Sequence, residues 1–271
     1  MRLAGLALGL LAAACGGTST HHTAPAPEKA SRVTYAPQTA RYHAAQHRHV
    51  VQELSGTPRT SDVVSHLWIS STITRGDSGL HAALVIDSLQ ITSTAIPMPP
   101  NLDAIKGATF TGTMEPTGAL RDFTGPDWPP LVTQLAAGFR TFYPRIPAAG
   151  AVADTEWSDS TSMPLNANGV TGTVTSSNAH RATGWAQYAG QRALAIETVA
   201  HYTLKGTGSP GGQDLSLEGS GIRRSTQYLS ASGVYLGAIG TDSLSYTLAL
   251  MQSGMSIPGT QESADTLTMI P

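Results

Sequence analysis

From about residue 33 to the C-terminus, apolar and polar side chains alternate with a period of two in one stretch after another. That period constrains the fold more than any other feature. Only an extended strand sends successive side chains to opposite faces, so one face of each stretch is built for a core and the other for water. Residues 41–54 (RYHAAQHRHVVQEL) and 62–75 (DVVSHLWISSTITR) read as strands joined by the turn SGTPRT. A turn at Gly76-Asp77-Ser78-Gly79 leads to a third strand over 80–92, and 109–123 reads as a hairpin centred on Glu115-Pro116-Thr117-Gly118. Further strands are expected over 169–177, 180–188, 192–205, 213–228, 233–238, 243–252 and 263–270, with glycine-bearing turns between them.

One segment departs from this period. In 126–147 (PDWPPLVTQLAAGFRTFYPRIP) Leu131, Leu135 and Phe139 recur every four residues, between prolines at both ends. The spacing predicts a helix over about 128–143. The expected fold is therefore mainly β: an antiparallel curved sheet, or half-open barrel, with one central helix packed on it.

The N-terminal end predicts an address. Met1-Arg2 is followed by an uncharged run, Leu3 to Ala14, about half the length a membrane-spanning helix needs. Ala12-Ala13-Ala14-Cys15 resembles a bacterial lipobox, with Ala12 where a branched residue is usual, and Cys15 is the only cysteine in the chain. The resemblance implies a signal peptide over 1–14 and acylation of Cys15, a stable anchor once two or more chains are attached. Residues 15–32, rich in small and polar residues and carrying His21 and His22, read as a flexible tether. The expected localisation is the bacterial cell envelope, at the periplasmic face or outer membrane.

Residues 33–271 then form one β-rich domain. The whole chain carries 16 basic and 18 acidic side chains with no run of like charges, which excludes nucleic acid as a partner. A single cysteine leaves burial to stabilise the fold, which roughly 240 residues suffice to do. Outward strand positions rich in Thr, Ser and Gln argue against a transmembrane barrel.

The phrases Phe142-Tyr143-Pro144-Arg145-Ile146-Pro147 and Ala153-Asp154-Thr155-Glu156-Trp157 resemble a segment of an uncharacterised family of bacterial secreted lipoproteins. Ala153 replaces the family's glycine, and Glu156 intrudes before Trp157. By analogy, the layout is similar to the half-open barrels of LolA-like and LprG-like lipoprotein carriers, in which a helix plugs an apolar concavity. That resemblance implies a non-catalytic domain binding a lipid or other hydrophobic ligand, lined here by Trp128, Leu131, Leu135, Phe139, Phe142 and Trp157. A solid-core structural or protein-interaction lipoprotein is the alternative, with an envelope protein as partner.

A hydrolase is a further, lesser alternative, for which the enzyme signatures do not cohere. Gly76-Asp77-Ser78-Gly79 echoes a serine-protease phrase, but too little chain precedes it to supply the other half of such a fold. Gly206-Thr207-Gly208-Ser209-Pro210-Gly211 fits a dinucleotide fingerprint, yet the residues after it alternate as a strand where that chemistry needs a helix. No cofactor is expected. His43, His47 and His49 share one face of their strand, with His66 on the expected partner, and form a weak candidate for a metal site.

Overall fold

The computed structural model describes residues 31–77, 79–94, 102–126, 138–167 and 169–271. The leader, the tether and Cys15 lie outside them. Among the described residues eleven strands follow in chain order: β1 Gln38–Leu54, β2 Thr57–Gly76, β3 Gly79–Ser93, β4 Thr109–Met114, β5 Leu120–Thr124, β6 Thr155–Ala167, β7 Val170–Tyr188, β8 Gln191–Gly208, β9 Leu215–Ser230, β10 Tyr235–Leu250 and β11 Met255–Ile270. They form one antiparallel, curved and unclosed sheet in the order β5-β4-β3-β2-β1-β11-β10-β9-β8-β7-β6. The chain is a meander whose first and last strands pair, from Arg41↔Ile270 to Gln52↔Gly259. Its two free edges are β5 and β6, which are neighbours in sequence.

The strands are longer than the alternation suggested. The turn after β1 is Ser55-Gly56 alone, with φ of 53° and 76°, the paired positive values of a two-residue hairpin turn. Thr57–Thr60, read above as part of the turn, already belong to β2. Stretches expected as pairs of strands at 169–188 and 233–252 are each one continuous strand, β7 and β10. Residues 155–167, given no strand above, form edge strand β6. The hairpin around Glu115–Gly118 stands as expected, and Gly206–Gly212 is a hairpin loop with a short 3-10 turn at Pro210–Gly212.

The expected central helix is corrected. Residues 127–137 lie outside the described residues, and among those described no α-helix forms an element. Helical geometry ends at Phe139; the Thr141 and Phe142 amides close tight turns onto the Gly138 and Phe139 carbonyls. The chain then runs out as an irregular strap whose prolines, Pro144 and Pro147, cannot donate to a helix.

One core occupies one end of the sheet. Even-numbered positions of β1 face it, with Ala40 and Tyr42 buried, as do Ile69 and Ile73 of β2, Leu84 and Ile86 of β3 and Leu194 and Ile196 of β8. The strap covers this face. Tyr35 donates its hydroxyl to the Pro144 carbonyl (2.5 Å), the Ile146 amide bonds the Thr117 carbonyl beside edge β5, and Trp157 Nε1 of edge β6 donates to the Arg145 carbonyl (3.1 Å). The strap is thus tied to both free edges at once. The other face carries exposed Thr and Ser over much of its area.

Within the core, Ser71 Oγ and the Tyr143 hydroxyl, both fully buried, lie 2.5 Å apart. Burial pushes the Tyr143 phenol up to about 12, even though Ser71 stabilises its charged form. Removing either hydroxyl leaves the other buried and unpaired, which costs about 1–3 kcal/mol. Tyr143→Phe and Ser71→Ala are each expected to lower the urea midpoint. The double variant is expected to lose clearly less than the sum; additive losses would show that the two hydroxyls do not act as a pair.

Candidate functional site

Of the six side chains expected to line a ligand pocket, Trp128, Leu131 and Leu135 lie outside the described residues. Of the other three, Phe139 and Phe142 meet in the aromatic core and Trp157 packs at its margin. Phe139, 4% exposed, sits edge-on to Phe110 at 5.2 Å between ring centres. Phe142 makes edge contacts with Tyr42, Tyr143 and Tyr235 at 5.2, 4.9 and 5.8 Å. Trp157 stacks on His180 at 5.4 Å. Edge-to-face packing of this kind is that of a filled interior. Phe139 and Phe142 thus plug the covered end of the sheet.

Beyond the plug, the core face changes character along the strands. Cross-strand register places polar and charged side chains in two adjoining rows that run from β6 to β1. At one flank Asp159 Oδ1 lies 3.3 Å from His180 Nε2 and accepts from Asn178 Nδ2 at 2.6 Å, while His180 Nδ1 lies 2.9 Å from Thr198 Oγ1. Burial opposes ionisation of Asp159, but the His180 and Asn178 hydrogen bonds outweigh it and hold the carboxyl below its ordinary range. In the middle, Asp265 accepts from Arg223 (2.7 Å), Gln46 (3.1 Å) and Ser263 (3.3 Å), and Arg48 donates to Gln46 (2.9 Å). Nearby Asp242 is raised by burial, with the Asp265 charge adding to it, despite the Tyr202 hydroxyl it accepts at 2.9 Å and the charge of Arg223.

Past this belt the core face becomes apolar again. One row reads Met163, Val174, Leu204, Gly219, Tyr246, Gly259 across β6 to β11, and the next reads Leu165, Gly172, Gly206, Leu217, Leu248, Ile257. Two tyrosines lie flat here. Tyr202 of β8 covers Gly221 of β9 and donates to Asp242 of β10. Tyr246 of β10 covers Gly259 of β11, and its hydroxyl accepts from Gln52 of β1 at 2.9 Å. A Cβ at either glycine would meet the tyrosine ring, so the glycines make room for rings that span three strands. Among the described residues no further element packs over these rows: extensive element contacts run along the sheet, or from β3 to the short turn at Leu102–Ile105.

The carboxylate, imidazole and hydroxyl of Asp159, His180 and Thr198 have the composition of a nucleophile relay. Their setting is structural. His180 is 5% exposed beneath Trp157, and Thr198 Oγ1 in turn points to Gln227 Oε1, so the groups form a ladder across four strands. The sequence reading missed His180 and the belt, although strand parity already put Asn178, His180 and Ala182 on one face.

The histidines expected to share a face do so, on the side away from the core, but in two groups. His43 Nε2 lies 3.1 Å from His66 Nδ1, the two rings stacked with Trp68 beside them. His47 and His49 converge instead on Asp62 Oδ1, at 3.4 and 2.9 Å. Among the described residues no three His, Cys, Asp or Glu side chains are grouped to hold a metal ion. Nor is any described helix long and apolar enough to cross a membrane.

No family model matches the chain, and no curated protein matches it. Among solved structures, the chain has a faint likeness to a loop-deletion mutant of OmpT, an outer membrane protein of Vibrio cholerae. The identity is 8%, over 87% of this chain and all of that one, with a TM-score of 0.15, too low to bear on fold or function.

The His43 pair yields a pH prediction. Burial, then the neighbouring His66, lowers the His43 pKa from its ordinary 6.5. The unfolded chain therefore binds this proton first, so the stability linked to it is complete above pH 6.5 and is lost as pH falls from there through the lower folded value. In an NMR titration of the ring protons, His43 is expected to titrate below 6.5 and to move back up in His66→Gln. No movement would remove His66 from the explanation.

Proposed function

We propose that the chain is a lipid-anchored protein of the bacterial cell envelope, non-catalytic, whose sheet binds an amphiphilic lipid. The apolar rows beyond the polar belt carry this reading. Met163, Val174, Leu165, Leu217, Leu248 and Ile257 present half-buried apolar surface over which no described element packs. Burying such surface contributes about 25 cal/mol per Å2, so these rows favour an acyl chain laid along them. The belt beside them offers Arg223, Arg48 and Asp242 to a polar head, while the plugged end gives the sheet its stability. The seat differs from that expected of a helix-lined pocket: the plug is the floor's boundary, and the ligand lies past it.

Native mass spectrometry of the full chain, extracted from a bacterial envelope in mild detergent, is expected to retain a mass matching a phospholipid or glycolipid. Leu248→Asp, on an end row where the fold bears little load, is expected to lower occupancy about tenfold or more with the melting temperature nearly unchanged. An apo mass in the parent protein would overturn the lipid reading in favour of a solid-core interaction protein. Separately, Cys15→Ser is expected to move the protein from the membrane to the soluble fraction; an unchanged distribution would remove the anchor.

A further inference from the structure

Two troughs lie on the face away from the aromatic core. One trough, of about 1040 Å3, is lined from β6 to β10, and a second, of about 600 Å3, from β8 to β11 and β1. They share Thr203, Ser220 and Ser245 and so make one continuous groove across seven neighbouring strands. Strand register sets its floor. Ser162, Thr175, Thr203, Ser220, Ser245 and Thr260 are direct cross-strand partners in succession on β6, β7, β8, β9, β10 and β11. A hydroxyl therefore recurs at the strand spacing, about 4.8 Å, over a run of about 24 Å.

These hydroxyls are largely uncommitted. Thr175 and Thr203 bond each other at 2.8 Å. Among the described residues, those of Ser162, Ser220, Ser245 and Thr260 make no hydrogen bond within the protein. On one wall stands Arg224, exposed and, among the described residues, without an acid partner, beside His201; on the other, Lys205 is 3.8 Å from Glu218.

We propose that this groove binds an extended polysaccharide strand. Each Ser or Thr hydroxyl can donate and accept, as each sugar hydroxyl can, and the row presents them at a repeat an extended glycan can follow. Competing classes fit less well. Ile222, Val51 and Pro258 are the apolar side chains of the groove that project to this face, too little surface to hold a lipid. With Lys205 paired, Arg224 is, among the described residues, the Lys or Arg of the lining left without an acid partner, too little charge for a nucleic acid. The site lies on the opposite face from the proposed lipid seat and does not depend on it.

The test is co-sedimentation of the full chain, in nonionic detergent, with three insoluble glycans: cellulose, chitin and isolated peptidoglycan sacculi. At least one is expected to carry the protein down saturably. The triple variant Thr175→Val, Thr203→Val, Ser220→Val keeps residues suited to strands while removing three hydroxyls. It is expected to raise the apparent Kd about tenfold or more. The paired control Thr175→Ser, Thr203→Ser retains the hydroxyls and is expected to bind as the parent does. It keeps the test decisive should the valine variant misfold, because loss of binding in this control would contradict a hydroxyl-read groove. Leu248→Asp is expected to keep glycan binding, separating this site from the lipid seat. Sedimentation with none of the three glycans, or equal binding by a folded valine variant, would overturn the proposal.

Discussion

The pairing of β1 with β11 is the interaction on which the architecture depends. It joins strands separated by almost the whole chain, with twelve residues of each in register. Once the ends of the meander are joined, the remaining edges fall between β5 and β6, and the segment linking those two strands must pass the opening. The strap Phe139–Pro147 does so at the core end, bonded beside β5 through Ile146 and to β6 through Arg145. Covering this face buries the aromatic side chains and ties the free edges, which are otherwise liable to pair with other chains. Pro164 and the charged Glu156 and Asp159 along β6 blunt the same liability.

The length of the strands sets up the second feature. A strand of 17–20 residues reaches roughly 55–65 Å, and the strap covers the end where β1 begins and β11 finishes. Among the described residues no element covers the rest of the core face, and its side chains are half-buried. A belt of paired charges adjoins the plug. Tyrosines laid over Gly221 and Gly259 then shield backbone at the cost of a side chain at each glycine. Stability is accordingly uneven along each strand: greatest where Tyr42, Leu84, Ile196 and Tyr235 pack, least towards the Ser55-Gly56 and Met251–Gly254 turns.

Much of this was legible in the sequence. Period-two alternation identified the mainly antiparallel sheet, and Glu115–Gly118 and Gly206–Gly212 were read as hairpin turns, as they are. Strand continuity was less legible: the break expected at Asn178-Ala179 lies within β7, and the one at Ile239–Asp242, which holds Gly240, lies within β10. Strand β6 hid for a related reason. As an edge strand its outward residues are Ser, Glu and Pro, and its alternation was masked by the Asp154-Thr155-Glu156 cluster beside a turn. The four-residue repeat of Leu131, Leu135 and Phe139 was read as a helix to residue 143, but Phe139 and Phe142 reach the core from tight turns. The belt was invisible because it depends on register between strands far apart in sequence, such as Gln46 with Asp265, which no single stretch encodes.

The most direct test of this two-part sheet is amide hydrogen exchange resolved along the strands, with and without phospholipid micelles. Without lipid, amides at Tyr42, Ile69, Leu194, Ile196 and Leu229 are expected to exchange only through global unfolding. Those at Thr173–Val174, Thr203–Leu204 and Thr247–Leu248 are expected to exchange faster through local opening, and to slow when micelles are added. Protection that is uniform from end to end without lipid, and unchanged with it, would mean that the far half of the sheet needs no occupant and would contradict the account.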